Sequence, residues 1–371
     1  MAKRTAKRSG PAEHIAERLV RCRSRMLRKR IDAYLVLRAV DQAYLTGFDG
    51  EDGAVMVTAR RVYVITDGRF DEHADRQAPW ATKVLRKGPL APAIARVARR
   101  LRLQRLHVQA DAVDVAAHAA LRRAAKPIRL TPAPAIVGEM RQIKDAVEIE
   151  AIRRAVDVAQ RAFKRIVRHV RPGAVERDLA GRLEYEMRRA GADGAAFATI
   201  VAAGAHAALP HARAGDDVVR RDQIVLFDWG ARVGGYCSDL TRVVAVGRIP
   251  ARLRRIYEIV LQAQQAGIAA IAPGVTARQA DAAARRIIAK AGYGKQFSHS
   301  LGHGLGLEVH EAPALSRRVE RRLEPGMVVT VEPGVYVRGL GGVRIEDDVL
   351  VTRDGAEVLS DLDRSWAAAT R

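Results

Sequence analysis

The feature that most constrains this chain is the placement of acidic residues at the ends of apolar runs. Ile224-Val-Leu-Phe-Asp-Trp-Gly230 ends a strand-like run with Asp228, and Asp239 follows 11 residues later. Gly234 and Gly235 between them predict a turn, so a returning strand would bring both carboxylates side by side. Buried carboxylates are costly unless they are paired or bound to metal. Taken alone, the pair indicates either a divalent-cation site or an acidic cap on a hairpin.

A second stretch, His299-Ser-Leu-Gly-His-Gly-Leu-Gly-Leu-Glu-Val-His-Glu311, holds 3 of the chain's 10 histidines within 12 residues. The glycines beside His303 allow backbone and imidazole to approach a bound centre closely. A Gly-rich phosphate loop is the alternative, but the Lys and the residue order of a P-loop are missing. A single histidine is commonly structural, whereas these three together favour a functional site.

Two further stretches each place a glutamate on or just beyond a β-rich apolar run. They are Val328-Val-Thr-Val-Glu-Pro-Gly334, with Glu332, and Gly342-Val-Arg-Ile-Glu-Asp347, with Glu346. Alternation puts Arg344 and Glu346 on the same side of their strand, where the guanidinium can orient a metal-binding carboxylate. Either glutamate by itself is also compatible with an edge strand.

The charges of these residues predict a site for two metal ions per chain. Four carboxylates carry four negative charges, an imidazole adds none, and two divalent cations make the sum neutral. Oxygen-rich ligation with one histidine suits Mn²⁺ first, with Co²⁺, Fe²⁺ and Zn²⁺ as alternatives. Two such ions about 3.5–4 Å apart can lower the pKa of a water between them until it yields hydroxide near neutrality. The predicted ligands are Asp228, Asp239, His303, Glu332 and Glu346.

Alternating helical and strand-like patterns predict an α/β protein, and 371 residues suit two domains. Thr131-Pro-Ala-Pro134 interrupts the alternation, because proline supplies no backbone donor and constrains its neighbour. We therefore expect a basic, disordered tail at residues 1–12, an α/β domain at residues 13–135 and a second domain at residues 136–371.

The second domain contains one pattern twice. A helix, a Pro-Gly break and another helix occur around Arg171-Pro-Gly-Ala-Val175 and again around Ala272-Pro-Gly-Val-Thr276. Such breaks are common between helices. The repetition nevertheless predicts two related halves that share one sheet system.

Composition limits the partners. The net charge of +22 permits a nucleic-acid partner, but no zinc-knuckle or RNA-binding aromatic motif accompanies it, so an arginine-rich solvated surface is favoured. The 2 cysteines, Cys22 and Cys237, lie far apart and give no disulfide framework or Cys-based metal site. No secretion-signal core and no apolar run of about 18 residues is present. We expect a cytoplasmic chain without a membrane partner.

In these stretches the chain resembles the pita-bread metallopeptidases, in the branch of aminopeptidase P and prolidase. Tyr44-Leu-Thr-Gly-Phe48 and Val64-Ile-Thr-Asp-Gly-Arg69 are similar to the N-terminal domain of that branch. Residues 197–211, which end in Leu-Pro-His, are similar to its substrate-binding strand and loop. The predicted ligands follow the family's order of Asp, Asp, His, Glu, Glu. The resemblance implies a creatinase/prolidase-like α/β domain followed by a duplicated α/β, pita-bread catalytic domain, in a homodimer.

The resemblance also implies a role for each ligand. Asp228 would bind one metal ion, His303 and Glu332 would bind the other, and Asp239 and Glu346 would bridge both. Glu332 would in addition shuttle the proton of the attacking water.

Further positions match residues that surround the metals in the family. Three histidines match those that contact the substrate or steady the tetrahedral intermediate: His211, His299 and His310. Two other residues match positions behind the ligands: Tyr336 and Arg344.

The implied reaction is hydrolysis of the bond between an N-terminal residue and a following proline. Dipeptide-specific prolidases of the family often carry an Arg where this chain has Ala314, so the sequence favours an Xaa-Pro aminopeptidase, with Xaa-Pro dipeptidase as the alternative. Ala205 and His206 also depart from an Asn-containing form of the Leu-Pro-His segment. Methionine aminopeptidases lack such an N-terminal domain, and creatinase-like hydrolases lack the full ligand set. A non-catalytic binding module with a basic surface is the remote alternative.

Overall fold

The computed structural model describes Gly10 and residues 12–370. The predicted disordered tail therefore lies outside the described residues, except for Gly10 and Ala12. The chain forms two units, one ending at Arg141 and the other beginning at Gln142. The predicted domain bounds, residues 13–135 and 136–371, stay a prediction.

The first unit is a mixed sheet with helices. Its elements are α1 (Glu13–Arg28), β1 (Ala33–Val36), α2 (Ala39–Thr46), β2 (Gly53–Thr58), β3 (Val62–Asp67), α3 (Asp71–Gln77), β4 (Thr82–Arg86), α4 (Leu90–Arg100), β5 (Arg105–Gln109), α5 (Val115–Ala125), β6 (Arg129–Ala133) and α6 (Ile136–Arg141). The strands are ordered β4-β3-β2-β1-β5-β6. β2 and β3 form a hairpin, with Val57 opposite Val62.

The second unit contains the helical pairs that the Pro-Gly pattern predicts. Its first part consists of α7 (Ala146–Ile166), α8 (Glu176–Arg189), β7 (Gly194–Ala195), β8 (Ile200–Ala203), β9 (Gln223–Trp229), β10 (Ala231–Val233), β11 (Tyr236–Cys237) and β12 (Leu240–Val246). We call residues 146–246 the first half. In the segment that resembles the family's substrate-binding strand and loop, residues 197–211, the strand β8 begins at Ile200.

The second half, residues 251–358, repeats the order of two helices followed by strands. It consists of α9 (Ala251–Ala269), α10 (Ala277–Lys290), β13 (Gly302–Gly304), β14 (Glu311–Leu315), β15 (Val328–Val331), β16 (Gly334–Val337), β17 (Gly341–Arg344), β18 (Asp347–Val351) and β19 (Ala356–Val358), and α11 (Trp366–Ala369) follows it. Its main sheet is ordered β14-β13-β15-β18-β19, whereas the first half has β12-β9-β8. Apolar side chains of each helical pair pack on these strands and form the core.

The two Pro-Gly turns are built alike. Gly173 (φ 92°) and Gly274 (φ 84°) both adopt the left-handed conformation that favours glycine. The Gly173 amide donates to Val219 O at 2.9 Å, and the Gly274 amide donates to Leu323 O at 2.9 Å. The repeated sequence pattern therefore corresponds to a repeated backbone structure.

A capping box begins α7, where Asp145 and Glu148 each accept from the other's backbone amide. Thr276 and Gln279 form the same arrangement at the start of α10. Both helices therefore begin where their sequences supply side-chain acceptors. Among the described residues, no helix is long and apolar enough to cross a membrane.

Candidate active site

The second unit contains a cavity of about 470 Å³ that is lined by every residue the sequence predicts for the site. These residues come from both halves: His211, Asp228, Asp239, His299, His303, His310, Glu332, Tyr336, Arg344 and Glu346. Sequence positions up to 135 apart, from 211 to 346, therefore meet in one pocket. Their individual roles stay predictions.

The two aspartates lie at neighbouring ends of paired strands. β9 and β12 run antiparallel with Asp228 opposite Thr241, and Asp239 lies directly before β12. The Asp239 backbone amide donates to Asp348 Oδ2 at 3.0 Å, which fixes the chain at this point. The predicted approach of the aspartates thus results from strand pairing. The Gly234-Gly235 turn lies between β10 and β11.

Glu346 is joined to the first half through Thr241. The Thr241 hydroxyl donates to Glu346 Oε2 at 2.5 Å, and the Glu346 amide donates to Thr241 O at 3.2 Å. Glu346 lies between β17 and β18, not inside a strand. It is 1% exposed, so its remaining acceptor capacity is directed into the protein and not into bulk water.

His303 lies in the short strand β13, between β14 and β15. A Cβ at Gly302 would lie 1.9 Å from Thr330 O, and one at Gly304 would lie 2.4 Å from Ala312 O. Only glycine therefore allows the neighbouring strands to approach β13 this closely. This explains physically why glycines flank the predicted histidine ligand.

The hydrogen bonding of His303 prepares one ring nitrogen for a metal ion. Nδ1 lies 3.1 Å from Gly304 O, and a carbonyl accepts only, so Nδ1 carries the proton. Burial, followed by the neighbouring His310, lowers the pKa of His303 to about 4. Nε2 of the neutral ring is therefore an unprotonated donor, 3.6 Å from Asp239 Oδ2 and 3.4 Å from Glu332 Oε1.

The carboxylates would be unstable as bare anions. Burial, then repulsion from Glu346 and Asp228, raises the pKa of Asp239 well above its usual value. Burial and repulsion from Glu332 do the same for the pKa of Glu346. Burial raises the pKa of Glu332 to about 8. Such a cluster needs either protons or cations to offset its charge.

The arrangement fits divalent cations. Asp239, His303 and Glu346 each offer one donor atom, and these atoms lie within 4.8 Å of one another. Asp228 Oδ1 is buried without a hydrogen-bond partner in the part of the chain that the structure describes. A buried acceptor without a partner is costly, and a metal ion at this position would remove that cost.

A buried hydrogen-bonded chain supports the donors. Arg344 forms an ion pair with Asp228, and its Nη1 donates to the Tyr336 hydroxyl oxygen at 2.7 Å. That hydroxyl lies 3.0 Å from His299 Nε2, while His299 Nδ1 lies 2.8 Å from Ser300 O. Burial, followed by Arg344, lowers the pKa of His299 to about 4. The neutral ring therefore donates to the carbonyl and accepts from the tyrosine.

The other two predicted histidines lie closer to solvent. His211 and His310 line the cavity as exposed residues. The rings of His303 and His310 pack edge to face, with centroids 4.4 Å apart. His211 and His310 are therefore accessible to a molecule in the cavity, whereas His299 lies deeper.

Several residues that support the predicted metal ligands were not predicted from the sequence. Arg242 is 3% exposed; its guanidinium binds Asp347 at 2.7 Å and donates to Glu346 O at 2.6 Å. Asp348 accepts from the Asp239 amide. The acidic run Glu346-Asp-Asp348 between strongly apolar segments was a signal for buried acids behind the site.

A second group of potential ligands lies outside the cavity lining, at Glu176, His206 and Asp217. Glu176 is fully buried and accepts from Ala203 N at 2.7 Å and from Gly215 N at 3.2 Å. His206 Nδ1 lies 3.0 Å from both Glu176 oxygens. Because its carboxylate is already satisfied, Glu176 acts as an anchor for the pocket loop, residues 204–217. His206, one of the two residues that depart from the Asn-containing form, is therefore a partner of this anchor.

Two family models match the chain. Residues 150–353 match metallopeptidase family M24, and residues 18–143 match the creatinase/prolidase N-terminal domain. The matches confirm the predicted fold class, an N-terminal creatinase/prolidase-like α/β domain followed by a pita-bread domain.

Individual proteins show the same likeness. The uncharacterized peptidase YqhT of Bacillus subtilis is 40% identical over 330 residues, which are 89% of this chain and 94% of that protein. The solved structure of an Xaa-Pro dipeptidase from Bacillus anthracis has a TM-score of 0.92 and 40% identity, and the match covers 95% of this chain and 99% of that one. The solved structure of an X-Pro aminopeptidase from Thermotoga maritima MSB8 has a TM-score of 0.86 and 36% identity, and the match covers 92% of this chain and 99% of that one.

Proposed function

Because the chain belongs to metallopeptidase family M24, we propose that it hydrolyses the bond between an N-terminal residue and proline, primarily as an Xaa-Pro dipeptidase. The observation that carries the proposal is the cavity in which four carboxylates and an unprotonated histidine nitrogen converge. The preference for dipeptides is supported by the higher TM-score and identity with the Bacillus anthracis Xaa-Pro dipeptidase than with the Thermotoga maritima X-Pro aminopeptidase. This reverses the order that the sequence favoured.

When bound, two divalent ions, Mn²⁺ first, held by Asp228, Asp239, His303, Glu332 and Glu346, would polarise the substrate carbonyl and acidify the attacking water. The charge of the five side chains, four carboxylates and one neutral imidazole, then balances two such ions. Arg344 keeps Asp228 oriented through their ion pair, and Thr241 does the same for Glu346.

The remaining chemistry belongs to side chains around the cavity. Glu332 accepts the proton of the water that attacks the carbonyl carbon. The C–N bond then breaks, and the proline nitrogen, which carries no hydrogen in the peptide, takes up that proton. His211 and His310 donate hydrogen bonds to the oxygen that gains charge as the tetrahedral intermediate forms.

The cavity also offers room for a proline ring. Phe197, Ile200 and Val309 contribute apolar surface to its lining. A ring seated there places a tertiary amide, which lacks an N–H, against the donor cluster. A homodimer, a cytoplasmic location and the absence of a nucleic-acid partner stay predictions.

An Xaa-Pro aminopeptidase is the second candidate. Ala314 lines the cavity and adds no charge at the position where dipeptide-specific relatives often carry an Arg. A longer peptide, which has no carboxylate on its proline, would fit such a wall equally well.

Turnover of a matched pair of peptides tests the proposal. An Xaa-Pro dipeptide and an Xaa-Pro-Xaa tripeptide are incubated with Mn²⁺ and, separately, with a chelator. We expect metal-dependent cleavage, with the dipeptide preferred. Cleavage of the tripeptide alone would establish the aminopeptidase instead. If neither peptide is cleaved, the proposed specificity is wrong.

A further inference from the structure

A dipeptide substrate differs from a longer one in carrying a free carboxylate on its proline. This anion enters the cavity with the substrate and loses water around it. Without a cation as partner, its desolvation would oppose binding. A planar guanidinium is the most suitable partner, because it can hold both oxygens at once.

The lining of the cavity includes two arginines among the described residues, Arg213 and Arg344. Arg344 is 3% exposed and already committed to Asp228, Tyr336 and Thr241. Recruiting it for substrate would break the contacts that hold a metal-binding carboxylate. It is therefore unsuited to bind a second anion.

Arg213 has the opposite character. It is exposed at the cavity, and in the described part of the chain its guanidinium makes no hydrogen bond or ion pair. The acidic residues that follow on the same loop have other neighbours: Asp216 pairs with Arg177, and Asp217 lies 3.6 Å from His206. The charge of Arg213 is thus available to a ligand.

The backbone around Arg213 is held in place. Two residues later, the Gly215 amide donates to the buried Glu176 at 3.2 Å. Gly215 O in turn accepts from the Arg177 amide at 3.1 Å. Two residues earlier in the sequence lies His211, which lines the same cavity. The guanidinium is therefore presented from an anchored loop beside the proposed reaction centre.

We propose that Arg213 binds the free carboxylate of the substrate's proline and thereby sets the preference for dipeptides. The inference rests on the proposed dipeptidase function. In this arrangement the cation comes from the first half, whereas Ala314 of the second half, which lines the same cavity, is uncharged.

The test compares an Xaa-Pro dipeptide with its C-terminal amide, which lacks the negative charge. For Arg213→Gln, the ratio of kcat/KM for the acid to kcat/KM for the amide should fall about ten- to a hundredfold, the scale of a hydrogen bond to a charged group. The loss should appear in KM, because the contact binds substrate and does no chemistry. Arg220 lies, like Arg213, in the segment between β8 and β9, but it does not line the cavity, so Arg220→Gln should leave the ratio unchanged.

A rescue sharpens the test. Arg213→Gln combined with Ala314→Arg restores a guanidinium to the cavity from a strand of the second half and should recover most of the lost ratio. An unchanged ratio in Arg213→Gln would overturn the inference while leaving the dipeptidase function intact. If the unmodified protein cleaves no dipeptide at all, the proposed function itself fails, and the inference fails with it.

A neighbouring cavity is the alternative place where the substrate carboxylate could bind. It has a volume of about 350 Å³, shares His299 and Ser300 with the first, and is lined by the exposed residues Arg317 and Arg318. If Arg317→Gln or Arg318→Gln lowers the ratio and Arg213→Gln does not, the carboxylate binds there. That result would also overturn the assignment to Arg213.

Discussion

The two halves of the second unit have the same backbone plan but contribute different chemistry. In the first half, the Glu176 amide donates to Asp217 O at 3.0 Å, and at the matching place in the second half the Ala277 amide donates to Arg321 O at 2.9 Å. The aspartates Asp228 and Asp239 come from the first half. The histidine and both glutamates of the donor cluster come from the second. Neither half contains the predicted site alone.

The side chains at the matching turns show how the halves diverge. Glu176 at the start of α8 is buried; it anchors the pocket loop through His206 and the Gly215 amide and also accepts from the Ala203 amide at the end of β8. At the start of α10 the matching residue is Ala277, and a capping box at Thr276 stabilises the helix instead. The backbone frame is therefore common to both halves, whereas Glu176 holds the pocket loop in the first half and the matching Ala277 has no side-chain group that could do so in the second.

The largest expected effect on turnover comes from single variants that remove one carboxylate, either from the first half or from the second. Asp239→Asn or Glu346→Gln removes a negative charge from the cluster, so the balance with two divalent ions is lost. Turnover should fall by at least about 10²–10³-fold, and less metal should remain bound. Metal analysis and peptide turnover on the same preparations measure both.

Glu357→Gln is the matched control, since Glu357 is a partly exposed acid of the second half that pairs with Arg153. It should change neither quantity. If either ligand variant keeps the metal content and turnover of the unmodified protein, the shared site is wrong.

A smaller effect is expected from the accessible histidines. His211→Ala and His310→Ala should each lower kcat by about a hundredfold, because each removes a hydrogen bond to the developing oxyanion. Metal content should be unchanged in both. Steady-state kinetics with Mn²⁺ in excess provide the measurement. A drop in only one variant would assign oxyanion stabilisation to a single half.

The smallest effect concerns the two turns. Glu176→Gln leaves one of the buried backbone amides without its acceptor and should lower the free energy of unfolding by about 1–3 kcal/mol. It should also raise KM, because the pocket loop carries His211 and Arg213. Thr276→Ala should cost about 1 kcal/mol through loss of the cap and leave KM unchanged. Denaturant unfolding together with kinetics separates the two. An equal rise in KM for both variants would contradict the assigned difference between the turns.

The sequence predicted which residues line the cavity better than it predicted the contacts between them. Asp228, His303 and Glu332 were identifiable because charged or polar groups in apolar, glycine-rich surroundings require a functional or structural reason. The contact between Thr241 and Glu346 joins positions 105 apart. Pairings of this kind depend on how strands from different halves meet, and no local pattern encodes them.

In the fold, too, features set by local sequence were predictable, whereas those set by distant contacts were not. The helices and their Pro-Gly turns follow from local periodicity and glycine conformation, so they were predictable. Glu176 was not, because an acid in the first turn of a helix usually faces solvent and interacts with the helix dipole. Its burial becomes evident only when the pocket loop folds back over it.

The number of metal ions bound per chain tests the central claim most directly, namely that both halves together form one dinuclear site. The protein is stripped with chelator, dialysed against Mn²⁺, and analysed for metal while its thermal unfolding is followed. We expect two ions per chain and a higher midpoint with metal, since an ion present at about a thousand times its Kd adds roughly 4 kcal/mol to the folded state. Absence of bound metal, with an unshifted midpoint, would contradict the account.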